Sequence, residues 1–126
     1  MGVRTALVAL CISLSLCANP KPFFSRQIRE VYVKDFHSDE PNACTTLDVD
    51  LSHAQALAFF RRAKVLDYKT MVDNYPIAPC YIMGTLKYKG VICDWKIFAG
   101  GTGSIKSPSH EWYFACDSCD DLFQPK

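Results

Sequence analysis

The sequence lacks an excess of charge of either sign. Its 126 residues contain 14 Lys and Arg against 13 Asp and Glu, a formal net charge of +1. Binding to nucleic acid relies on a cluster of cations that neutralises several phosphates, and attachment to anionic lipid relies on a polybasic segment. The chain contains neither pattern, so we expect no nucleic-acid partner and no electrostatic attachment to a membrane.

A long hydrophobic run is also missing. The apolar stretch at residues 6–16 follows the single charge of Arg4 and is too short to span the ~30 Å hydrocarbon core of a bilayer. A brief apolar stretch of this kind, followed by small residues, is typical of a secretory signal peptide. We therefore expect residues 1–18 to be removed, and we expect a periplasmic or secreted protein that begins at Asn19.

Lipidation of Cys17 is the alternative processing route, and it would tether the protein to a membrane. That route normally requires a small residue before the cysteine, whereas Leu16 occupies this place. We therefore favour the unlipidated form. Because Arg4 leaves with the signal peptide, the mature chain would carry no net charge.

One segment carries a strong helical signal. Ser52 and Gln55 have the spacing of a capping box, in which each side chain binds a backbone N–H that the helix leaves unsatisfied. Apolar residues then recur at helical spacing: Ala56, Phe59, Phe60 and Ala63. A helix of about twelve residues is too short to be stable alone, so it must pack on another element.

Strand patterns dominate the second half of the chain. They cover residues 80–86, 91–99, 102–106 and 111–116, while residues 28–36 are a candidate edge strand and residues 66–78 a loop with room for one turn of helix. The fold class predicted is α+β, with one amphipathic helix packed on an antiparallel meander of about four strands. Residues 19–126 would form this single domain, which disulfides would cross-link.

The glycine-rich stretch WKIFAGGTGSI, residues 95–105, could be either a phosphate-binding loop or a turn between strands. Such a loop follows a strand and opens a helix, because the helix N-terminus supplies the amide donors. Here a strand precedes Gly100, but no helical pattern follows Gly103, and Pro108 comes soon after. The stretch therefore predicts a tight turn between antiparallel strands, and no nucleotide cofactor.

Cysteines are abundant, which favours disulfides in an exported chain. Of the seven, five remain after removal of residues 1–18: Cys44, Cys80, Cys93, Cys116 and Cys119. In an up-and-down meander, Cys80 and Cys116 lie at one end of the sheet and Cys93 at the other, beyond the reach of a disulfide. We therefore expect Cys80 to pair with Cys44, Cys116 or Cys119, and Cys93 to be the unpaired thiol.

The spacing of Cys116 and Cys119 is that of a CxxC motif. In thiol oxidoreductases this motif opens a helix, which lowers the pKa of the thiol. Here it ends a strand beside Asp117, Asp120 and Asp121, whose charges would act in the opposite direction. A zinc site needs four ligands at fixed spacing, which the scattered histidines do not provide. We therefore predict no catalytic, cofactor-binding or metal-binding residues.

Several short motifs resemble those of a family of small exported bacterial proteins that is uncharacterised. They are Cys44-Thr-Thr-Leu47, Phe59-Phe60-Arg-Arg-Ala63, Pro79-Cys80-Tyr81-x-x-Gly84-Thr85-Leu86 and Trp95-x-Ile97-x-Ala99-Gly-Gly-Thr-Gly103. The resemblance covers roughly residues 43–120. The residues it shares are turn glycines, core aromatics and cysteines, so it implies a fold and an exported location but no active site.

The class of function that agrees with these features is an exported protein-binding module without catalytic activity. A periplasmic immunity or inhibitor protein is one form of it, with a toxin or an envelope protein as partner. The candidate contact residues are Asp117, Asp120, Asp121 and Tyr88, with Tyr68 and Tyr75 as further aromatic groups, because aromatic side chains anchor interfaces. The alternatives are a thiol-disulfide oxidoreductase that uses Cys116 and Cys119, and a structural envelope protein.

Overall fold

A computed structural model describes residues 22–124. The signal peptide predicted at residues 1–18 lies outside this part of the chain. The strands are β1 (Ile28–Ser38), β2 (Lys64–Leu66), β3 (Cys80–Tyr88), β4 (Val91–Phe98), β5 (Thr102–Lys106) and β6 (Glu111–Ala115), and the helices are α1 (His53–Arg62) and α2 (Tyr68–Asn74). Short 3₁₀ helices occupy Ser25–Gln27 and Asp120–Leu122. Between residues 22 and 124, no helix is long and apolar enough to cross a bilayer.

The strands form one antiparallel sheet in the order β1-β3-β4-β5-β6-β2. The α+β class predicted from the sequence is confirmed, but the count of about four strands is wrong, because the sheet has six. The four strands of the predicted meander are its centre, and β1 and β2 are added at its edges. With only three residues, β2 is too short to show an alternating pattern, and it is a strand because β6 supplies its backbone partners.

Two glycine-containing turns set the register of the meander. Lys89 and Gly90 both have positive φ, 50° and 80°, which is the backbone that a two-residue turn between twisted strands requires. Gly100 and Gly101, with φ of 90° and 99°, turn the chain between β4 and β5. The prediction of a hairpin at this second site is confirmed, and no helix follows it.

The core lies between α1 and one face of the sheet. The capping box is present: Ser52 accepts a hydrogen bond from the backbone of Gln55, whose side chain accepts one from the backbone of Ser52. The Phe60 ring is 5.8 Å from the ring of Trp95. Trp95 is buried together with Cys93 and Ile97, as the alternation in β4 predicted.

Helix α2, of seven residues, lies where the sequence analysis expected a loop with room for one turn of helix. Asp67 caps the helix by accepting a hydrogen bond from the backbone N–H of Thr70, at 2.7 Å. Only Met71 of this helix is buried, so there is no repeated apolar stripe for a periodicity argument to find. The helix packs beside β6, where the rings of Tyr68 and Tyr113 are 5.1 Å apart.

Candidate partner-binding surface

The cysteines form two disulfides within residues 22–124. Cys44 is bonded to Cys80 with a Cα–Cα distance of 5.7 Å, and this bond joins the loop after β1 to the start of β3. Cys116 is bonded to Cys119, three residues further on. Cys93 is the unpaired cysteine of this part of the chain, and it is buried. Burial raises the pKa of its thiol, which makes it a poor nucleophile.

The CxxC disulfide lies at the end of β6 and is followed by the short 3₁₀ helix Asp120–Leu122. Its two cysteines are 8% and 1% exposed. The backbone N–H of Cys116 donates to the carbonyl oxygen of Gly101 at 2.9 Å, which holds the segment against the glycine turn. The motif therefore lacks the α-helical N-terminus that lowers the thiol pKa in thiol oxidoreductases.

Ion pairs bind the acidic segment that follows β6 to the end of α1 and to the start of β2. Arg62 contacts Asp121 at 2.7 Å and donates to the carbonyl oxygen of Ser118, while Lys64 contacts Asp117 at 2.9 Å. The hydroxyl of Tyr75 donates to the same carboxylate of Asp117, at 2.9 Å.

These contacts lower the pKa of both carboxyl groups below the usual range. The hydrogen bond from Lys64 is the main cause at Asp117, and the hydrogen bond from Arg62 is the main cause at Asp121. Two of the three aspartates predicted to contact a partner are thus already paired within the chain. Asp120 is exposed and forms no ion pair with any residue between 22 and 124.

Tyr88, the fourth predicted contact residue, is buried, and its selection as a contact residue is wrong. Its side chain is 5% exposed and its ring stacks on that of Phe23, with centroids 4.5 Å apart. Its hydroxyl accepts a hydrogen bond from the backbone N–H of Phe24 at 2.8 Å. The segment before β1 covers this tyrosine, which an argument from β3 alone could not foresee.

Three of the nine exposed large apolar side chains among residues 22–124 lie on β2 and α2. Val65 is 43% exposed and Tyr68 is 57% exposed, and Val72 lies one helical turn after Tyr68 on the same side of α2. Together these three residues define what we call the β2–α2 surface. Of the three, the sequence analysis named only Tyr68.

A groove of about 560 Å³ opens beside the β2–α2 surface. Its walls come from three separate segments of the chain, and most of its lining is apolar: Pro22, Phe23, Val65, Leu66, Tyr68, Trp112 and Tyr113. Its polar groups include the carboxylates of Asp67 and Glu111. Hydrogen bonds from Thr70 lower the pKa of Asp67, so this side of the groove carries negative charge at neutral pH.

Each of the three histidines contacts a group within the fold. His37 binds Asp39 at 2.8 Å, His53 accepts a hydrogen bond from the backbone N–H of Val33, and the His110 ring is 4.6 Å from that of Trp112. A group of three potential metal ligands, Cys44, Asp48 and Cys80, does lie together. Both of its sulfur atoms belong to a disulfide, so the group offers no thiolate to a metal ion.

Comparison of this chain with protein-family models, curated proteins and solved structures found no match. The resemblance to a family of small exported bacterial proteins therefore stays a prediction. The class of fold is defined by the structure itself, a six-stranded antiparallel sheet with two helices and two disulfides. The features that bear on function are therefore those of the β2–α2 surface and its groove.

Proposed function

We propose that this protein is an exported protein-binding module without catalytic activity, and that it serves as an immunity or inhibitor protein in the periplasm or outside the cell. The observation that carries the proposal is the apolar groove beside the β2–α2 surface. Contiguous exposed apolar side chains on a small domain are typical of interaction sites. The two disulfides are compatible with an oxidising compartment outside the cytoplasm.

The chemistry of the groove defines what kind of partner segment fits it. An apolar or aromatic side chain of the partner would enter between Trp112 and Tyr68 and would be removed from water there. Asp67 and Glu111 would attract a cationic group next to that side chain. The expected partner therefore presents an apolar residue beside a Lys or Arg.

A pull-down with the oxidised protein tests this proposal. The bait is offered to envelope proteins and to the secreted proteins of neighbouring strains, and the affinity of a retained protein is measured by calorimetry. We expect a dissociation constant in the nanomolar range, about −12 kcal/mol, because the partner is dilute. Retention of no protein, together with turnover of a dithiol substrate, would replace the proposal by the oxidoreductase alternative that uses Cys116 and Cys119.

A pair of tyrosine variants tests whether the groove is the contact surface. Tyr68→Ala should weaken binding by about 2 kcal/mol or more, because a central aromatic anchor is lost. Tyr32→Ala is the matched control, since Tyr32 is 49% exposed but lies on β1 at the other edge of the sheet. Equal affinities of the two variants would exclude the groove as the site.

The acidic segment can be tested independently through Asp120. Because Asp117 holds the segment against β2 and Asp121 holds it against α1, reversing their charge would change the structure as well as the surface. Asp120→Lys changes the surface alone. Weaker binding of this variant, with an unchanged thermal midpoint, would extend the contact surface to the acidic segment.

A further inference from the structure

A second cavity lies between the β3–β4 hairpin and the turn that joins β5 to β6. Its volume is about 430 Å³, which is within the range of small-molecule sites. The walls are mainly apolar and come from Pro22, Tyr88, Val91, Cys93, Pro108 and Trp112. The proposed partner surface makes no use of most of these residues.

Among residues 22–124, Lys89 is the one charged residue that lines this cavity. It forms no ion pair with any carboxylate between residues 22 and 124, and its ammonium group lies 4.6 Å from the centre of the Phe24 ring. Its backbone is held by the positive φ of the hairpin turn and by an N–H bond to the carbonyl oxygen of Gln27. Lys89 therefore lines the cavity as an exposed lysine that has no paired carboxylate among residues 22–124.

The other described polar residues of the cavity wall provide no carboxylate that could pair with Lys89. Ser107 uses its hydroxyl within the turn, where it donates to the carbonyl oxygen of His110 and accepts from the backbone of Ser109 and His110. Cys93 is buried in the wall as a thiol. An apolar wall with a single unpaired cation matches a ligand that has an apolar body and one negative charge.

We propose that this cavity binds a small anionic amphiphile, a carboxylate with an aliphatic body, which pairs with Lys89 and packs its chain against Val91 and Trp112. The cavity shares Pro22 and Trp112 with the proposed partner groove, but Lys89 and Val91 line only the cavity, and Tyr68 lines only the groove. Either can therefore fail without the other.

Titration of the oxidised protein with three ten-carbon probes tests the proposal. The probes are decanoate, decanol and decyltrimethylammonium, which share the chain and differ in charge, and binding is followed by calorimetry and by the amide NMR shifts of Val91 and Ser109. We expect decanoate to bind most tightly and the ammonium probe least tightly. Equal affinity of all three probes, tighter binding of the ammonium probe, or shifts confined to residues outside the cavity would each overturn the proposal.

Two lysine variants on the same hairpin complete the test. Lys89→Gln should weaken decanoate binding about threefold to fivefold, as expected for a partly exposed ion pair, and should leave decanol unchanged. Lys87→Gln is the control, because Lys87 pairs with Glu30 on β1 and does not line the cavity. If Lys89→Gln binds decanoate as the wild type does, the lysine does not hold the carboxylate and the proposal is wrong.

Discussion

Replacing Trp95 by alanine would remove the largest of the fully buried side chains. Trp95 is 1% exposed, its ring packs against Phe60, and its indole N–H donates to the carbonyl oxygen of Thr85 at 2.9 Å. The substitution therefore removes a large apolar volume and leaves a backbone carbonyl without its donor. Both losses occur at the contact between α1 and the sheet.

The expected loss of stability follows from the area involved. A buried tryptophan removes about 150–250 Å² from water, which at about 25 cal/mol per Å² corresponds to about 4–6 kcal/mol. Alanine recovers a small part of this through its methyl group. We therefore expect Trp95→Ala to lower the free energy of unfolding by about 3–5 kcal/mol.

Urea unfolding followed by far-UV circular dichroism measures this change. Ile92→Ala is the control on the same strand, because Ile92 is 64% exposed, and its cost should stay below about 1 kcal/mol. Trp95→Phe should cost less than Trp95→Ala, since it keeps a ring and loses the N–H donor. If Trp95→Ala cost no more than Ile92→Ala, the assignment of the Trp95 side of β4 to the core would be wrong.

Three further predictions concern the disulfide, one glycine and the acidic segment. Replacing both Cys44 and Cys80 by serine should lower the free energy of unfolding by about 4 kcal/mol, which is the loop entropy expected for a separation of 36 residues. A loss below about 1 kcal/mol in urea unfolding would contradict this prediction. Gly84→Ala should destabilise the fold by about 3 kcal/mol or more in the same assay, because the Cβ of the alanine would overlap the carbonyl oxygen of Tyr32. A variant as stable as the wild type would refute the close approach of β1 and β3 at this residue. Because the pKa values of Asp117 and Asp121 are lowered, their ion pairs stabilise the fold above the ordinary aspartate pKa of 3.8 and lose this effect as the pH falls through the lowered values. The thermal midpoint of a double Asp→Asn variant should thus lie below that of the wild type near neutral pH and converge with it in acid, and a constant difference would contradict the assignment.

Several elements follow from short-range signals alone. The start of α1 depends on Ser52 and Gln55, which are three residues apart, and the β3–β4 turn depends on Gly90 and its neighbour. The burial of Trp95 follows from an alternation within one strand. In each case the groups that interact are close in the chain, so a local pattern is sufficient.

The candidate site could not be read from the chain in this way. The sequence predicts Tyr88 as a contact residue, but in the fold its ring stacks on that of Phe23, 65 residues earlier in the chain, and is buried. The sequence predicts an unpaired acidic segment after β6, but Arg62 at the end of α1 and Lys64 at the start of β2 form ion pairs with two of its aspartates. Long-range contacts of this kind leave no periodic trace in the sequence.

The α+β class, the amphipathic helix and the turns of the central meander can be predicted from local patterns, because capping, alternation and glycine conformation act over a few residues. The addition of β2 to the sheet and the pairing of Cys80 with Cys44, rather than with Cys116 or Cys119, are visible only in the folded chain. The same is true of the groove, which three distant segments form together. A three-residue strand, a disulfide partner and a groove wall depend on which distant surfaces meet, and the packing of the whole core sets those contacts.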